Sequence, residues 1–434
     1  MKTKTAVLWL LCIAILLAGA RVSYWTFGRT PTAQKPRAQL VARNSPIGGK
    51  QALPDKLAGS PVIGNSPIKW MQVLPDQLIS SPVIGNDGSI YTATFGGAIY
   101  ALDSSGEVRW TYHVDPHEIP SALMRDAEDN LYFTTNAKVF SLTASGGKRW
   151  ETDCAPLNPF PRVVQEGALT RDTVFTTCGE NFAALDTADG RELWKVPYTF
   201  FQYNTTPVVL RSGAIVLPED QRLAAVDRNG NSLWNFPPPK YINPKPRPAL
   251  SLDQMFFSSA IAVGPDESLY LGSGDGEFSS FSAEGVLNWT YDAGPLRKIF
   301  FTASPVITSD GTVIATSTEA SVYAFTSTGE LRWSVHVGSG VKSMIQPSPV
   351  LGSDGTIYVL TAGKLLALSD LGTTLWELPL PSDSVTSPTL APDGTLYFGT
   401  SDKTLYAVQT TSKELMNSAW PKYQHDLWNS GSNF

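Results

Sequence analysis

The residues best suited to metal chemistry are two histidines and two carboxylates in the segment His113-Val114-Asp115-Pro116-His117-Glu118. Imidazole nitrogens and carboxylate oxygens can hold a divalent metal. The segment contains a proline, so no helix aligns the imidazoles on one side. Solvated loop residues are therefore the favoured interpretation, and we predict no metal site. The sequence also shows no nucleophile–base pair, no phosphate-binding glycine loop and no zinc-ligand spacing.

The composition excludes several classes of protein. The chain has 434 residues, of which 42% are hydrophobic and 17% are charged, and its net charge is −6. This acidic balance argues against a general nucleic-acid surface or a surface for anionic membranes. The 35 glycines and 32 prolines suit short strands joined by tight turns.

The N-terminus has the features of an export signal. Lys2 and Lys4 precede an apolar run over residues 6–20, which ends in the small-residue pattern Ala18-Gly19-Ala20. Residues 1–20 are therefore predicted to be a signal peptide, with an uncleaved signal anchor as the alternative. Residues 21–59 are basic, rich in proline and glycine, and without a strand or helix period. They are predicted to be a flexible linker, or else a basic arm that touches phospholipid head groups.

A tryptophan ends the same short phrase eight times between residues 60 and 434. The phrase includes Ser81-Pro82-Val83-Ile84, the turn Asp87-Gly88, which predicts a two-residue hairpin, and the strand Ile99-Tyr100-Ala101-Leu102. Its period of about 40–45 residues is typical of an array of repeated units. Four short antiparallel strands per unit, without helices, predict the blade of a β-propeller. The eight residues are Trp110, Trp150, Trp194, Trp234, Trp289, Trp333, Trp376 and Trp420.

Eight four-stranded blades are favoured over seven. Trp70 lies in a strand-like stretch that has no preceding three strands, whereas the last repeat departs from the pattern after Val408. We therefore predict that the strand at Trp70 completes the last blade and closes the ring. The eight repeated indoles are predicted to be structural, each packing on small residues of the next blade. The first-strand proline lacks a donor and fits a strand start or a sheet edge.

The repeats resemble those of pyrroloquinoline-quinone (PQQ)-like propellers. Ala184, Asp186, Gly190 and Trp194 are similar to the tryptophan-docking motif of that superfamily, and other repeats carry a version one residue shorter. The stretch Trp420-Pro421-Lys422-Tyr423-Gln424-His425-Asp426 is similar to a terminal segment of such propellers. The resemblance covers residues 60–434 and implies the eight-bladed fold.

This superfamily implies two different functions. Quinoprotein dehydrogenases hold PQQ and Ca²⁺ over the axis and use an aspartate as base, whereas a bacterial outer-membrane assembly lipoprotein keeps the propeller and binds proteins. Many of the enzymes stack the quinone on a disulfide between adjacent cysteines, and this chain has no adjacent cysteines. No set of calcium ligands can be matched to it either. The resemblance therefore extends to the repeat but not to the active site of the enzymes.

The resemblance also implies which loops share a face. If the Ser-Pro-Val strand is innermost, as in this superfamily, two kinds of loop lie on the same face of the ring. These are the links from the fourth strand of one blade to the first strand of the next, and the turns between second and third strands. Cys154 falls in a link and Cys178 in such a turn of the following blade, so we predict a disulfide, with two free buried thiols as the alternative. The same face is predicted to carry a ligand-binding ring around the axis. Its candidate residues are His113, His117, Glu118, Tyr198, Phe201, Tyr203, Asp275, Arg297, Lys298 and Lys342.

A proline-rich insertion over residues 237–248 widens one link on this face. It could cover the axis or present an extended strip to a partner, and a passive surface loop is the alternative. We predict an exported, non-catalytic scaffold at the cell envelope that binds proteins or ligands. It is expected to be a monomer without a cofactor, with a possible N-terminal membrane tether. The alternative function is a dehydrogenase that uses PQQ and Ca²⁺.

Overall fold

The structure, a computed structural model, describes residues 67–116, 118–154, 167–198, 206–219, 222–236, 259–273, 276–293, 299–338 and 347–432. These residues form eight antiparallel sheets of four strands each, with no helix among the described elements. A helix able to span a membrane is not found within these ranges. The predicted all-β propeller with eight blades is therefore confirmed.

Each blade except the last consists of four consecutive strands. Blade 1 comprises β2 (Val83–Ile84), β3 (Ile90–Ala93), β4 (Ala98–Leu102) and β5 (Val108–His113). Blade 2 comprises β6 (Met124–Arg125), β7 (Leu131–Thr134), β8 (Lys138–Leu142) and β9 (Lys148–Asp153). Blade 3 comprises β10 (Ala168–Leu169), β11 (Thr173–Cys178), β12 (Asn181–Asp186) and β13 (Glu192–Pro197). Blade 4 comprises β14 (Val208–Val209), β15 (Ile215–Glu219), β16 (Arg222–Val226) and β17 (Ser232–Phe236). Blade 5 comprises β18 (Ala262–Val263), β19 (Leu269–Gly272), β20 (Glu277–Phe281) and β21 (Leu287–Asp292). Blade 6 comprises β22 (Val306–Ile307), β23 (Val313–Thr316), β24 (Ser321–Phe325) and β25 (Leu331–His336). Blade 7 comprises β26 (Val350–Leu351), β27 (Ile357–Thr361), β28 (Lys364–Leu368) and β29 (Thr374–Pro379). Blade 8 comprises β30 (Thr389–Leu390), β31 (Thr395–Gly399), β32 (Thr404–Gln409) and, as its outer strand, β1 (Ile68–Val73).

Burial orders the strands from the axis outward. Both residues of each first strand are buried, whereas fourth strands such as β5 alternate between exposed and half-buried residues. The apolar core lies between neighbouring blades, where Val83 and Tyr91 of blade 1 pack with Leu131 and Phe133 of blade 2. The Ser-Pro-Val strand is therefore innermost.

The N-terminal strand closes the ring as predicted. Strand β1 pairs antiparallel with β32, with Trp70 opposite Ala407 and Val73 opposite Thr404. Lys69 Nζ forms an ion pair with Asp393 of blade 8 at 3.1 Å. The last blade thus takes its outer strand from the start of the described chain.

Seven indoles wedge adjacent blades together. Trp110 of blade 1 donates its indole N–H to Ala144 O of blade 2 at 2.9 Å. A Cβ on Gly146, which has φ +82°, would lie 2.7 Å from the Trp110 ring, so only glycine allows this approach. The same indole–carbonyl bond and the same glycine contact recur for Trp70, Trp150, Trp194, Trp234, Trp289 and Trp333.

Trp420 corrects one element of the predicted repeat. It is fully buried but lies outside the strands, in an isolated bridge with Ile307 of blade 6. The eighth outer strand belongs to Trp70 instead, because blade 8 is completed from the N-terminus. The repeat of tryptophans along the sequence therefore ends at Trp376.

The Asp-Gly turns are longer than the predicted two-residue hairpins. In blade 1 the amide of Gly85 donates to Ser89 O at 2.8 Å, which leaves three residues inside the loop. Only Gly88 among them has a positive φ, +79°, whereas a two-residue type I′ turn needs it at both central positions. The Asp87 carboxylate accepts from the Ser89 amide and thereby fixes the turn.

Serines of the Ser-Pro phrases link the inner strands of four consecutive blades. The Ser304 amide donates to Ser348 Oγ at 2.9 Å, and the Ser348 amide donates to Ser387 Oγ at 3.0 Å. The Ser387 amide then donates to Ser81 Oγ at 3.1 Å, which joins blade 8 to blade 1. The serine thus satisfies a buried amide at the point where the proline starts the inner strand.

Two glycine substitutions distinguish two contributions to stability, the indole contact and the left-handed backbone conformation. Gly88 and Gly146 both have positive φ, but a Cβ on Gly88 meets nothing within 4 Å. We expect Gly88→Ala to lower the free energy of unfolding by about 1–2 kcal/mol, the cost of the left-handed conformation. Gly146→Ala should cost about 1–3 kcal/mol more, because its methyl group displaces the Trp110 ring. Urea denaturation measures both, and equal losses would contradict the wedge role of Trp110.

Candidate functional site

The ring has two faces of different construction. The link face carries the connections from each fourth strand to the next blade and the turns between second and third strands. The turn face carries the turns between first and second strands and between third and fourth strands. This division follows from the antiparallel strand order of each blade. The predicted ligand-binding residues belong to the link face.

Three of the ten predicted binding residues lie in the described chain. His113 ends β5 and is exposed, whereas Glu118 is 9% exposed and its Oε2 is buried without a hydrogen-bond partner. Tyr198 is buried and donates its hydroxyl to Pro218 O of the next blade. Tyr198 therefore also joins blades 3 and 4. The other seven lie outside the described residues: His117, Phe201, Tyr203, Asp275, Arg297, Lys298 and Lys342.

A lysine of blade 2 pairs with acidic residues of its own blade and of the link that follows His113. Lys138 Nζ lies 3.2 Å from Glu151 and 3.9 Å from both Asp115 and Asp153. Hydrogen bonds from Lys148 and Lys138 lower the pKa of Glu151. Within the described ranges no group of three or more His, Cys, Asp or Glu residues could hold a metal ion.

The structure contains the predicted disulfide. Cys154 follows β9 of blade 2, and Cys178 ends β11 of blade 3; their Cα atoms are 4.9 Å apart. Both residues are buried, at 7% and 9% exposure. The bond fastens the start of the link between blades 2 and 3 to a strand of blade 3.

A feature not predicted from the sequence covers the turn face at the axis. Residues 410–432, here called the C-terminal segment, follow β32 and cross the inner strands. The last amide of the first strand in six blades donates to a carbonyl of this segment. The donors are Ile84, Arg125, Leu169, Val209, Ile307 and Leu351, and the acceptors are Leu427, Trp428, Ser430, Gly431, Trp420 and Pro421 respectively.

Polar side chains fix the internal conformation of the C-terminal segment. Lys422 is fully buried, and its Nζ donates to Tyr423 O at 2.6 Å, to Asp426 O and to Asn429 Oδ1. Although burial opposes ionisation of Asp426, the His425 imidazole at 3.5 Å and hydrogen bonds from Ser430 lower the pKa of its carboxyl.

Arg125 anchors the same segment from blade 2. Its guanidinium is buried, pairs with Asp129 at 2.6 Å and lies 5.2 Å from the ring centroid of Trp428. Other described first strands end in an apolar residue at this position, so Arg125 is an exception to the pattern. The similarity of residues 420–426 to a terminal segment was the one sequence signal for this region. It did not indicate where the segment lies.

Removing the disulfide tests how much it stabilises the joint between blades 2 and 3. We expect Cys154→Ser with Cys178→Ser to lower the free energy of unfolding by about 2–4 kcal/mol, because a cross-link restricts the unfolded chain. Denaturant unfolding of the oxidised wild type and the double variant measures this. Cys12→Ser is the matched control, since Cys12 lies outside the described chain. A loss in the control equal to that in the double variant would contradict the expectation.

Comparison with known proteins agrees with this architecture. Residues 135–257 and 219–429 match the family model of the outer membrane protein assembly factor BamB. Together they span residues 135–429, which is 295 of the 434 residues. No curated protein sequence matches the chain significantly.

Two solved structures have a similar fold. The crystal structure of BamB from Moraxella catarrhalis is 18% identical, with a TM-score of 0.62, and the match covers 78% of this chain and 98% of that one. The computationally designed Ika8 protein is 14% identical, with a TM-score of 0.58, and the match covers 77% of this chain and 97% of that one. At these identities the likeness shows the fold alone. Because the family model matches more than half of its length, the chain belongs to the family of the outer membrane protein assembly factor BamB.

Proposed function

We propose that this chain is an exported, non-catalytic propeller that binds protein partners during the assembly of outer-membrane proteins. The observation that carries the proposal is the family match over residues 135–429, most of the ring.

The proposed binding surface is the link face. The C-terminal segment covers the axis on the turn face, where its carbonyls accept six inner-strand amides. A partner or ligand that reaches the axis would therefore approach from the opposite side. Insertions on the loop face of repeat arrays are common sites of binding surfaces. The proline-rich stretch at 237–248 lies outside the described residues, and its position between the fourth strand of blade 4 and the first strand of blade 5 in the sequence assigns it to a link of that face in this proposal. The ten predicted ring residues stay part of this proposal.

The proposal includes an envelope location. Residues 1–20 would direct export as a signal peptide or an anchor, residues 21–59 would form a basic linker, and the propeller would begin near residue 60. The partner is expected to be an envelope or extracellular protein rather than a nucleic acid, since the net charge is −6. A monomer is expected. Sequencing the mature N-terminus would distinguish a cleaved signal from a retained tether.

Site-specific crosslinking tests which face binds. Phe95 lies in a turn between second and third strands and is 49% exposed, whereas Leu371 lies in a turn between third and fourth strands and is 74% exposed. We expect a photoreactive amino acid at residue 95 to capture a discrete envelope protein in cells, and the same group at residue 371 to capture little. Deleting residues 237–250 should reduce the yield at residue 95 at least about threefold. Equal capture from both faces would contradict the assignment of the link face.

Reconstitution with the enzyme cofactor tests the absence of quinoprotein activity. We expect purified protein given Ca²⁺ and PQQ to show no stoichiometric quinone spectrum and no dye reduction with alcohols or aldoses. The physical reason is that the sequence has no adjacent cysteine pair and no identifiable calcium-ligand set. A quinoprotein dehydrogenase assayed in parallel is the positive control. Turnover by this chain would overturn the scaffold proposal in favour of the dehydrogenase.

A further inference from the structure

The chain carries two tandem versions of the segment that closes the ring. Residues 44–65 read NSPIGGKQALPDKLAGSPVIGN, and residues 65–86 read NSPIKWMQVLPDQLISSPVIGN. The two stretches are identical at 15 of 22 positions, with a constant offset of 21 residues. This offset is about half the blade period, so the duplication is separate from the propeller repeat. Residues 68–86 are called the closing segment below, and residues 47–65 the upstream copy; the copy lies outside the described residues.

The identical positions include those that bind the closing segment to neighbouring blades. Leu78 is fully buried. The Leu74 amide donates to Lys403 O at 2.9 Å, and Ser81 Oγ accepts from the Ser387 amide at 3.1 Å. The upstream copy has the same residue types in the same order at Leu53, Leu57 and Ser60. It therefore retains the groups that form the link and the inner strand.

The largest differences fall in the outer strand. Trp70 donates its indole N–H to Ser104 O at 2.8 Å, and its ring packs on Gly106 of blade 1. The neighbouring Lys69 pairs with an aspartate of blade 8. The upstream copy has Gly48 and Gly49 at these two positions. It would therefore lose the indole that wedges blade 8 against blade 1.

We propose that the ring has two closing registers, and that the upstream copy can replace the closing segment when the chain slides by 21 residues. A strand register is fixed by the residues that one face buries, and the upstream copy offers most of the same buried residues in the same spacing. The register in the structure is the stable one because it packs the half-buried Trp70 ring on Gly106 of blade 1. The second register is a minor state of the same ring.

The second register would change the length of chain that precedes the propeller. Sliding by 21 residues takes up chain that, at about 3.3–3.6 Å per extended residue, spans up to about 75 Å. If the N-terminus is a membrane tether, as proposed above, the slide would draw the propeller toward the membrane. This consequence rests on the proposed function, whereas the two registers do not.

Two deletions of equal length test whether the upstream copy can close the ring. Deleting residues 65–85 leaves only the upstream copy, and deleting residues 44–64 leaves only the closing segment as the matched control. We expect both proteins to fold cooperatively with similar near-UV circular dichroism, the first unfolding at lower urea. Gly49→Trp in the first deletion should recover part of that difference. If the chain lacking residues 65–85 stays unfolded even with Gly49→Trp, the proposal is wrong.

Disulfide trapping tests the second register in the full chain. Val73 and Thr404 are register partners, and paired Cα atoms in antiparallel strands are about 4.5–5.5 Å apart, which suits a disulfide. In a Cys12→Ser background, Val73→Cys with Thr404→Cys should cross-link in most molecules. Ala52→Cys, the equivalent position of the upstream copy, should cross-link to Thr404→Cys more than the control Ala42→Cys does.

Weakening the stable register should increase the second one. Trp70→Ala is expected to raise the yield of the Ala52→Cys cross-link at least about tenfold, because it removes the large, half-buried indole that packs on blade 1 in the competing register. Equal yields for Ala52→Cys and Ala42→Cys in both backgrounds would rule out sliding in the intact chain. Neither assay depends on an envelope partner, so a failure of the binding proposal would leave this result interpretable.

Discussion

The fold depends on one contact repeated around the ring, in which an outer-strand indole lies against a turn glycine of the next blade. The glycine has to lack a Cβ, as at Gly190, where a Cβ would lie 2.4 Å from the Trp150 ring. It also needs a positive φ, which costs glycine little. The indole N–H simultaneously satisfies a carbonyl of the same turn. Each blade therefore completes its neighbour, and an isolated blade would expose its apolar face.

The joint between blades 7 and 8 is built differently. Strands β32 and β1 are far apart in the sequence, so no hairpin joins them and Trp376 has no turn glycine of the usual kind. This joint keeps the serine bond from Ser348 to Ser387 that its neighbouring joints also have, and the C-terminal segment adds contacts with both blades, at Asp354 and Gly394. Ring closure is thus shared between the two ends of the described chain. Buried inner-strand amides that would otherwise lack partners obtain carbonyl acceptors from the C-terminal segment.

The same architecture explains why family membership leaves the partner open. Some of the described side chains join neighbouring blades, as shown by Tyr198 and by the disulfide from Cys154 to Cys178. Function in such a fold lies in loops held by a rigid scaffold. The proline-rich link at 237–248 and the other wide links between blades are the regions where members of one fold can differ without disturbing the ring.

The sequence alone determined the number of blades, the strand order and the closing strand, because burial between blades imposes a regular spacing on tryptophan, glycine and the Ser-Pro phrase. It also indicated that Cys154 and Cys178 would meet, once the loops were assigned to faces. It misplaced Trp420, and it did not reveal the path of residues 410–432. That segment is held mainly through its backbone carbonyls, which every residue has, so no pattern of side chains marks it. Only the tertiary structure could show that the amides of six distant strands converge on it.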